Sequence, residues 1–225
     1  MATTAFVRTR PYSHQAPQQR ASPTDRLGKR FLDIGAAAVL ILLLLPAMLA
    51  AAIAVKVTSR GPVFFRQRRV GLGGREFSML KFRTMRADAE DSLARDDGLR
   101  QLYLTSGHKI PSALDPRVTR IGRWFRSWSV DELPQLFNVL AGHMSLVGPR
   151  PVTRPQLSEY DEHVGDYLAL RPGLTGLWQV SGRSRVKFPA RALLDADYRA
   201  RCSPWLDLTI LIRTPAAVIL RRGSD

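Results

Sequence analysis

The feature that most constrains this sequence is an apolar run from Ile34 to Val55, in which no residue carries a charge. A helix of about 20 apolar residues is long enough to cross the hydrocarbon core of a bilayer. The run therefore predicts a helix inserted into a membrane, and the rest of the chain must fold around that constraint.

Basic residues flank both ends of this run and bear on its orientation. They are Arg26, Lys29 and Arg30 before it, and Lys56, Arg60, Arg66, Arg68 and Arg69 after it. Since Lys and Arg favour the cytoplasmic flanks of membrane segments, both ends are expected on the cytoplasmic side. Pro46, near the centre, removes one helical hydrogen bond and bends or breaks the helix. We therefore predict a re-entrant helix-break-helix over residues 26–58, with a kinked spanning helix as the alternative.

Residues 1–25 differ sharply in composition from the apolar run. They contain prolines, glutamines and arginines and show no hydrophobic period, which predicts a disordered basic tail. The tail does not have the order of a secretory signal, because the apolar run begins too late and no small-residue cleavage site is followed by a polar mature start.

The whole chain is strongly basic, with 34 Lys and Arg against 19 Asp and Glu and a formal net charge of +15. This charge implies an anionic partner, which can be nucleic acid, an acidic membrane surface or a phosphorylated substrate. The single cysteine, Cys202, excludes an internal disulfide. The four histidines show no metal-ligand spacing, so a zinc site is not expected.

Residues 59–225 have the mixed pattern of one cytoplasmic domain. Residues 61–85 predict two strands around a glycine turn; a dinucleotide-binding loop is rejected there because the third glycine is missing and a strand follows. Residues 117–145 are helical with a break at Pro134, and the glycine-rich stretch 171–183 is typical of a loop that wraps a site. The apolar C-terminal stretch predicts a helix in the headgroup layer, a buried terminal helix being the alternative.

The predicted fold class is therefore α/β and helix-rich. It combines a re-entrant membrane helix hairpin with one cytoplasmic domain that contains a small sheet. Amphipathic helices, including the C-terminal one, are expected to lie at the membrane interface.

Two adjacent acids, Asp131 and Glu132, interrupt an otherwise apolar stretch, SVDELPQLFNV. One interpretation is local: Ser129 and Glu132 have the spacing of a capping box, and proline is acceptable in the first turn of a helix. The other is chemical, because one carboxylate can hold Mg²⁺ that bridges phosphate oxygens while the other attacks phosphorus. Nearby cations suit pyrophosphate, with which Arg makes charge-assisted contacts. These cations are Lys81, Arg83, Arg123, Arg126 and Arg150.

Several blocks of the sequence together resemble one family. The blocks are KRFLDI, GPVFFRQRRVG, LKFRTM, DPRVTRIGRWFR, SVDELPQLFNVLAGHMSLVGPRP, RPGLTGLWQVSGR and WLDLTILIRT. In this order they resemble the bacterial sugar transferase family, the monotopic polyprenyl-phosphate phosphoglycosyl transferases, from about Lys29 to the C-terminus. The short chain is similar to the small undecaprenyl-phosphate galactose phosphotransferases of exopolysaccharide synthesis.

The resemblance implies an enzyme that moves a sugar 1-phosphate from a UDP-sugar to undecaprenyl phosphate and releases UMP, the first membrane step of exopolysaccharide or related glycan synthesis. Asp131 would be the nucleophile that forms a covalent aspartyl-phosphosugar intermediate, and Glu132 would bind the cofactor Mg²⁺. Undecaprenyl phosphate would then attack the intermediate. The substrate-binding residues implied by the resemblance are Arg126, Arg150, Lys81 and Asp195.

The resemblance also implies partners and a location. The partners are a UDP-sugar, galactose being the favoured sugar, undecaprenyl phosphate and anionic membrane lipids. The location is the bacterial inner membrane, with the catalytic domain on its cytoplasmic face. The basic run from Arg66 to Arg69 is expected to face the membrane or solvent at a strand edge, and no nucleic acid is expected. A membrane-tethered basic binding protein without catalysis is the alternative, in which Asp131 and Glu132 only cap a helix.

Overall fold

The computed structural model describes residues 23–105 and 110–219 of the chain. Its helices are α1 (Pro23–Thr58), α2 (Ala89–Arg95), α3 (Asp97–Thr105), α4 (Arg120–Trp128), α5 (Gln135–Leu140), α6 (Arg154–Leu157), α7 (Val164–Leu168), α8 (Leu177–Ser181), α9 (Ala190–Arg201) and α10 (Pro204–Ile219). Its strands are β1 (Phe64–Val70), β2 (Glu76–Phe82), β3 (Ser145–Val147) and β4 (Gly173–Thr175). Of the predicted basic tail, residues 1–22 lie outside the described residues, and the last three belong to α1.

α1 is one continuous helix with Pro46 inside it, so the break predicted at this proline does not end the helix. Proline removes a single helical hydrogen bond, whereas ending a helix within apolar surroundings leaves several backbone groups without partners. By length and composition, Leu27–Thr58 is able to cross a membrane. The re-entrant topology stays a prediction.

The buried residues of α1 form one stripe along the helix, because their spacing follows the helical repeat. The first half, around Ala37, joins a core that includes Leu136 and Val139 of α5. The second half, which includes Val55, packs with Phe82 of β2 and Phe125 of α4. The opposite face is apolar and exposed, and its side chains include Leu42, Leu43, Leu49 and Ile53. The rest of the chain therefore covers one face of α1 along both halves.

β1 and β2 form an antiparallel hairpin, which confirms the two strands predicted around a glycine turn. The register pairs Phe64 with Phe82. In the turn, Gly73 and Gly74 have φ angles of 65° and 79°, a left-handed conformation that glycine adopts readily because it has no Cβ.

Asn138 joins this hairpin to α5. Its Oδ1 accepts a hydrogen bond from the Leu80 amide at 2.9 Å, and its Nδ2 donates to the Ser78 carbonyl at 2.8 Å. Asn138 is buried, so these two bonds satisfy groups that water does not reach. They fix the end of β2, and therefore Lys81, beside the helix that follows the acidic pair.

β3 and β4 form a second, parallel pair, in which Ser145 lies opposite Gly173 and Val147 opposite Thr175. The stretch predicted as a loop, residues 171–183, thus contains β4 and α8. The backbones after β3 approach so closely that a Cβ on Gly148 would lie 2.4 Å from the Arg171 carbonyl oxygen. The predicted small sheet is therefore two separate pairs of strands, and the predicted helix-rich α/β class is confirmed.

α10 packs on the body of the chain with one face only. Asp207 accepts hydrogen bonds from Tyr198 Oη at 2.7 Å and from Lys29 Nζ at 2.6 Å, and Ile210 is buried. The exposed apolar side chains of α10 include Trp205, Leu208, Ile212 and Ile219. α10 is thus not the buried terminal helix of the alternative, because a second apolar face remains open.

Candidate active site

The acidic pair lies in a short 3₁₀ turn, Val130–Glu132, between α4 and α5. The turn follows Ser129, whose φ of 57° is left-handed and whose amide donates to the carbonyls of Arg126 and Phe125 at the end of α4. The Ser129 side chain makes no capping hydrogen bond. The capping-box interpretation of Ser129 and Glu132 is therefore wrong.

Glu132 is held between two cations from different parts of the chain. Its Oε1 accepts from Lys81 Nζ at 2.9 Å and from Arg150 Nη2 at 2.5 Å, and its Oε2 accepts from Arg150 Nη1 at 3.3 Å. Burial raises the pKa of the Glu132 carboxyl, but Arg150 and Lys81 outweigh it and hold that pKa far below its ordinary range. Glu132 is therefore ionised at neutral pH.

Asp131 lies beside Glu132 in a different environment. It is 7% exposed, and its Oδ2 lies 3.9 Å from Lys81 Nζ, beyond hydrogen-bond distance. Within residues 23–105 and 110–219, no hydrogen bond to the Asp131 carboxylate is found. Burial, together with the charge of Glu132, raises the pKa of Asp131 to about 6, although Lys81 lowers it. Among the described residues, neither of its oxygens is therefore held by a hydrogen-bond donor.

Arg126 approaches this pair from α4. Its Nε donates to Thr84 Oγ1 at 2.9 Å and its Nη1 to Ser112 Oγ at 3.2 Å, and its charge lowers the pKa of Asp131. Lys81, Arg126 and Arg150 thus all act on the acidic pair, as the sequence indicated. Their roles in binding a substrate stay predictions.

Two other cations named from the sequence lie elsewhere. Arg83 is buried, and its Nη2 donates to the carbonyl and to the Oγ of Ser59, each at 2.8 Å. Arg123 is exposed on α4. Arg83 therefore stabilises the chain at the C-terminal end of α1. Neither Arg83 nor Arg123 contacts Asp131 or Glu132 among the described interactions.

Three further arginines lie near enough to Arg150 for its charge to lower their pKa values, and sequence reasoning missed them as site residues. They are Arg69 of β1, Arg183 after α8 and Arg191 of α9. Burial, and then the charge of Arg150, lowers the pKa of Arg69 to about 10 and also lowers the pKa of Arg191. Cations that repel one another in this way form a region suited to a polyanionic ligand.

One feature of the sequence could have shown that Arg69 is less exposed than Arg68. Alternation along a strand puts Arg66 and Arg68 on one face and Gln67 and Arg69 on the other. Arg68 is exposed, as predicted for the whole basic run, whereas Arg69 is partly buried and bonds Gln156 and Gln67. β1 is an edge strand, as predicted, but the predicted exposure of the basic run holds only in part for Arg69.

Asp195 lies on α9 and is 2% exposed. Its Oδ2 accepts from Tyr160 Oη at 2.7 Å, and no hydrogen-bond partner of its buried Oδ1 is found among the described residues. Burial raises the pKa of Asp195 to about 7, although Tyr160 and Arg191 lower it. The described contacts join Asp195 to Tyr160 and Arg191, not to the acidic pair, and its predicted role in substrate binding is untested.

The donor set at the acidic pair fits Mg²⁺ only together with a phosphate ligand. No group of three or more His, Cys, Asp or Glu side chains that could hold a metal ion occurs in the described part of the chain. However, Mg²⁺ is commonly bound by one or two carboxylates plus waters and substrate phosphates. Glu132 is ionised, and its Oε2 has only the 3.3 Å contact with Arg150. Glu132 therefore suits the predicted metal ligand.

Comparison with known proteins gives a consistent result. A family model described as bacterial sugar transferase matches residues 24–221. The exopolysaccharide production protein ExoY of Rhizobium meliloti is 42% identical over 207 residues, which is 90% of either chain. The undecaprenyl-phosphate galactose phosphotransferase of Salmonella typhimurium is 40% identical over 91% of this chain and 43% of that protein. The UDP-glucose:undecaprenyl-phosphate glucose-1-phosphate transferase of Caulobacter vibrioides is 44% identical over 86% and 70% respectively.

The relatives differ in length. This chain spans most of ExoY but less than half of the Salmonella protein and of an uncharacterised sugar transferase of Haemophilus influenzae. The part matched by the family model includes the β1–β2 hairpin, the acidic turn, Arg150 and the three arginines near it.

Proposed function

Because this chain belongs to the bacterial sugar transferase family, we propose that it transfers a sugar 1-phosphate from a UDP-sugar to undecaprenyl phosphate and releases UMP. The observation that carries the proposal is the unequal state of two neighbouring carboxylates. The negative charge of Glu132 is balanced by ion pairs with Lys81 and Arg150. Asp131, in contrast, is buried, and its carboxylate makes no hydrogen bond within the described residues. A carboxylate whose oxygens are not engaged by hydrogen-bond donors keeps its lone pairs for nucleophilic attack.

In the proposed first step, a carboxylate oxygen of Asp131 attacks the phosphorus that bears the sugar. The bond from this phosphorus to the bridging oxygen breaks, and UMP leaves with the bonding electron pair. The product on the enzyme is an aspartyl-phosphosugar. A phosphate oxygen of undecaprenyl phosphate then attacks the same phosphorus, and the aspartyl oxygen leaves as the restored carboxylate. One site can thus serve a soluble and a lipid substrate in turn.

The cations around Asp131 have two tasks in this scheme. Lys81 and Arg126 lower the pKa of Asp131, so the nucleophile is largely ionised at neutral pH. Arg150, together with Arg69 and Arg191 near it, would neutralise the pyrophosphate and the departing UMP. Mg²⁺ bound at Glu132 would add positive charge at the same phosphate oxygens.

We also propose that α1 enters and leaves the bilayer on the cytoplasmic side of the inner membrane. Near its N-terminus, Asp33 accepts a hydrogen bond from the Leu146 amide at 3.0 Å, and near its C-terminus Ser59 is bound by Arg83. Both ends thus contact the same body of the chain, whereas the ends of a spanning helix lie on opposite sides of a core about 30 Å thick. The exposed apolar faces of α1 and α10 would contact lipid, and basic side chains would contact anionic headgroups.

Relatives are named for both galactose and glucose transfer. Galactose stays our first choice of sugar, with glucose as the second candidate. A panel of UDP-sugars decides between the two.

The test is UMP release by the full-length protein in nanodiscs with Mg²⁺, undecaprenyl phosphate and a panel of UDP-sugars. We expect UMP with one sugar, and loss of UMP with Asp131→Asn, because an amide does not attack phosphorus. Asp97→Asn is the control, since Asp97 is exposed on α3. Without undecaprenyl phosphate, we expect a burst of about one UMP per enzyme, as a covalent intermediate requires.

Two outcomes would contradict the proposal. If folded protein released no UMP with any sugar on the panel, the alternative of a membrane-tethered basic binding protein would be favoured. If Asp131→Asn released UMP as fast as the control, transfer would not proceed through Asp131.

A further inference from the structure

Arg183 connects two parts of the chain that are distant in sequence. Its Nη2 donates to Ser129 Oγ at 3.1 Å, and its Nη1 donates to the carbonyl of Ala217 in the last turn of α10 at 3.1 Å. Ser129 lies two residues before Asp131. One guanidinium group therefore joins the C-terminal helix to the start of the turn that carries the nucleophile.

Both residues at this junction have left-handed backbone conformations. The φ angle of Arg183 is 52° and that of Ser129 is 57°. Residues with a Cβ adopt this conformation at a free-energy cost, and it persists where surrounding contacts hold it. In Ser129 it makes the chain turn sharply between α4 and the acidic turn, because the Glu132 amide donates back to the Ser129 carbonyl at 3.2 Å.

α10 is anchored elsewhere by contacts that do not reach the acidic turn. Asp207 binds Lys29 and Tyr198 near the start of the helix, and Thr214 Oγ1 lies 2.8 Å from Thr175 Oγ1 near its middle. Among the hydrogen bonds of the described residues, the bond from Arg183 is the one that links the end of α10 to Ser129.

The guanidinium group of Arg183 is bonded to protein acceptors, unlike that of an arginine whose donors are available to bind phosphate. Two of its donors already bind protein oxygens, a hydroxyl and a backbone carbonyl. A backbone carbonyl is an acceptor that substrate phosphate does not replace without releasing α10. A lysine at this position would keep the charge but would lose the planar fork that binds two separate acceptors.

We propose that Arg183 is a positioning residue that couples α10 to the turn carrying Asp131, so that the nucleophile holds its reactive position only while the end of α10 is docked. The proposal rests on the proposed function for its kinetic consequence. Its structural consequence, a shared loss of order in the acidic turn and in the end of α10, does not depend on that function.

The test compares Arg183→Lys with wild type in full-length protein held in nanodiscs. Arg185→Lys is the matched control, because Arg185 is exposed two residues further on. We measure the rate of UMP release against UDP-sugar concentration, and amide hydrogen exchange in residues 129–133 and 214–219. We expect Arg183→Lys to lower kcat about 10- to 100-fold with KM little changed, as for a displaced nucleophile. We also expect faster exchange in both segments, and neither effect in Arg185→Lys.

A second variant tests the connection through Ser129. Ser129→Ala removes the acceptor of the Arg183 bond and leaves Arg183 intact. If the two residues act as a unit, the double variant loses no more kcat than the more affected single variant. Multiplying losses would contradict the coupling.

Other outcomes also decide the proposal. A rise in KM of about tenfold or more with unchanged kcat would overturn it and make Arg183 a substrate-binding residue. Faster exchange confined to residues 129–133, or no change in either segment, would overturn it as well. If wild type releases no UMP with any sugar, the proposed function fails, while the exchange measurement still decides whether Arg183 couples the two segments.

Discussion

Replacing Asp131 by Asn is expected to stabilise the folded protein while it removes activity. The carboxyl has an ordinary pKa of 3.8, and its pKa in the folded protein is about 6, chiefly because it is buried. Folding therefore disfavours the ionised form by about two pKa units, or about 3 kcal/mol at pH 7. Asparagine keeps the shape of the side chain but is never ionised, so the variant avoids this cost.

The sign of the effect depends on pH in a defined way. Since the folded pKa lies above the unfolded one, the contribution of the protonated form to stability is fully present below pH 3.8. This contribution to stability is lost as the pH rises through about 6. Above that pH, the free-energy cost of burying the ionised carboxylate is constant. The advantage of Asp131→Asn should therefore be small near pH 4, grow between pH 4 and 6 and stay level at pH 7 to 8.

The assay is thermal unfolding of both proteins in one detergent across this pH range. A gain of about 3 kcal/mol corresponds to a rise in Tm of roughly 6 to 12 °C for a chain of this size. Asp97→Asn is the control and should change Tm little, because Asp97 is exposed. A lower Tm for Asp131→Asn at pH 7, or a gain that does not depend on pH, would refute the assignment of a raised pKa to Asp131.

Two further predictions concern the pH dependence of transfer and the packing beside β3. Lys81→Met should move the acid limb of the UMP-release profile upward from about pH 6, because Lys81 lowers the pKa of Asp131. At an effective dielectric constant of about 20, charges 3.9 Å apart interact by about 4 kcal/mol. Because both side chains keep some contact with solvent, we expect a smaller shift, of about one pH unit; a limb that stays in place or moves down would contradict this. Gly148→Ala should prevent stable folding, as judged by soluble yield and Tm, because its Cβ would lie 2.4 Å from a backbone oxygen. Gly165→Ala, with nothing within 4 Å of the added Cβ, should fold normally; equal Tm values for the two variants would contradict the close approach.

Much of the fold could be predicted because its signals are local. The uncharged run beginning at Ile34 forms a helix whatever surrounds it, and the alternation and glycines of residues 61–85 specify a hairpin. Residues 171–183 could not be read in this way. A three-residue strand such as β4 is stabilised by its pairing with β3, and that contact leaves no period in the sequence.

The site was predictable in part. The adjacent acids stand out in an apolar stretch, and the family blocks indicated Lys81, Arg126 and Arg150. Arg183 ends the family block RPGLTGLWQVSGR, but nothing in that block assigned it a role, and Arg191 lies outside the blocks. What distinguishes both residues is burial and the charge of Arg150, which together lower their pKa values, and both effects arise only in the folded chain.

By itself the sequence determined the residue types at the site, the membrane-compatible helix and the family to which the chain belongs. Only the tertiary structure decided that the pKa values of Asp131 and Glu132, which are neighbours in the chain, shift in opposite directions. The reason is physical: a pKa depends on the distance to other charges and on contact with water, and Lys81 and Arg150 reach Glu132 across 51 and 18 positions of the chain. In the same way, Ser129 and Glu132 have the spacing of a capping box but do not form one. In the folded chain, the Ser129 hydroxyl accepts a hydrogen bond from Arg183 and the Glu132 carboxylate accepts one from Arg150.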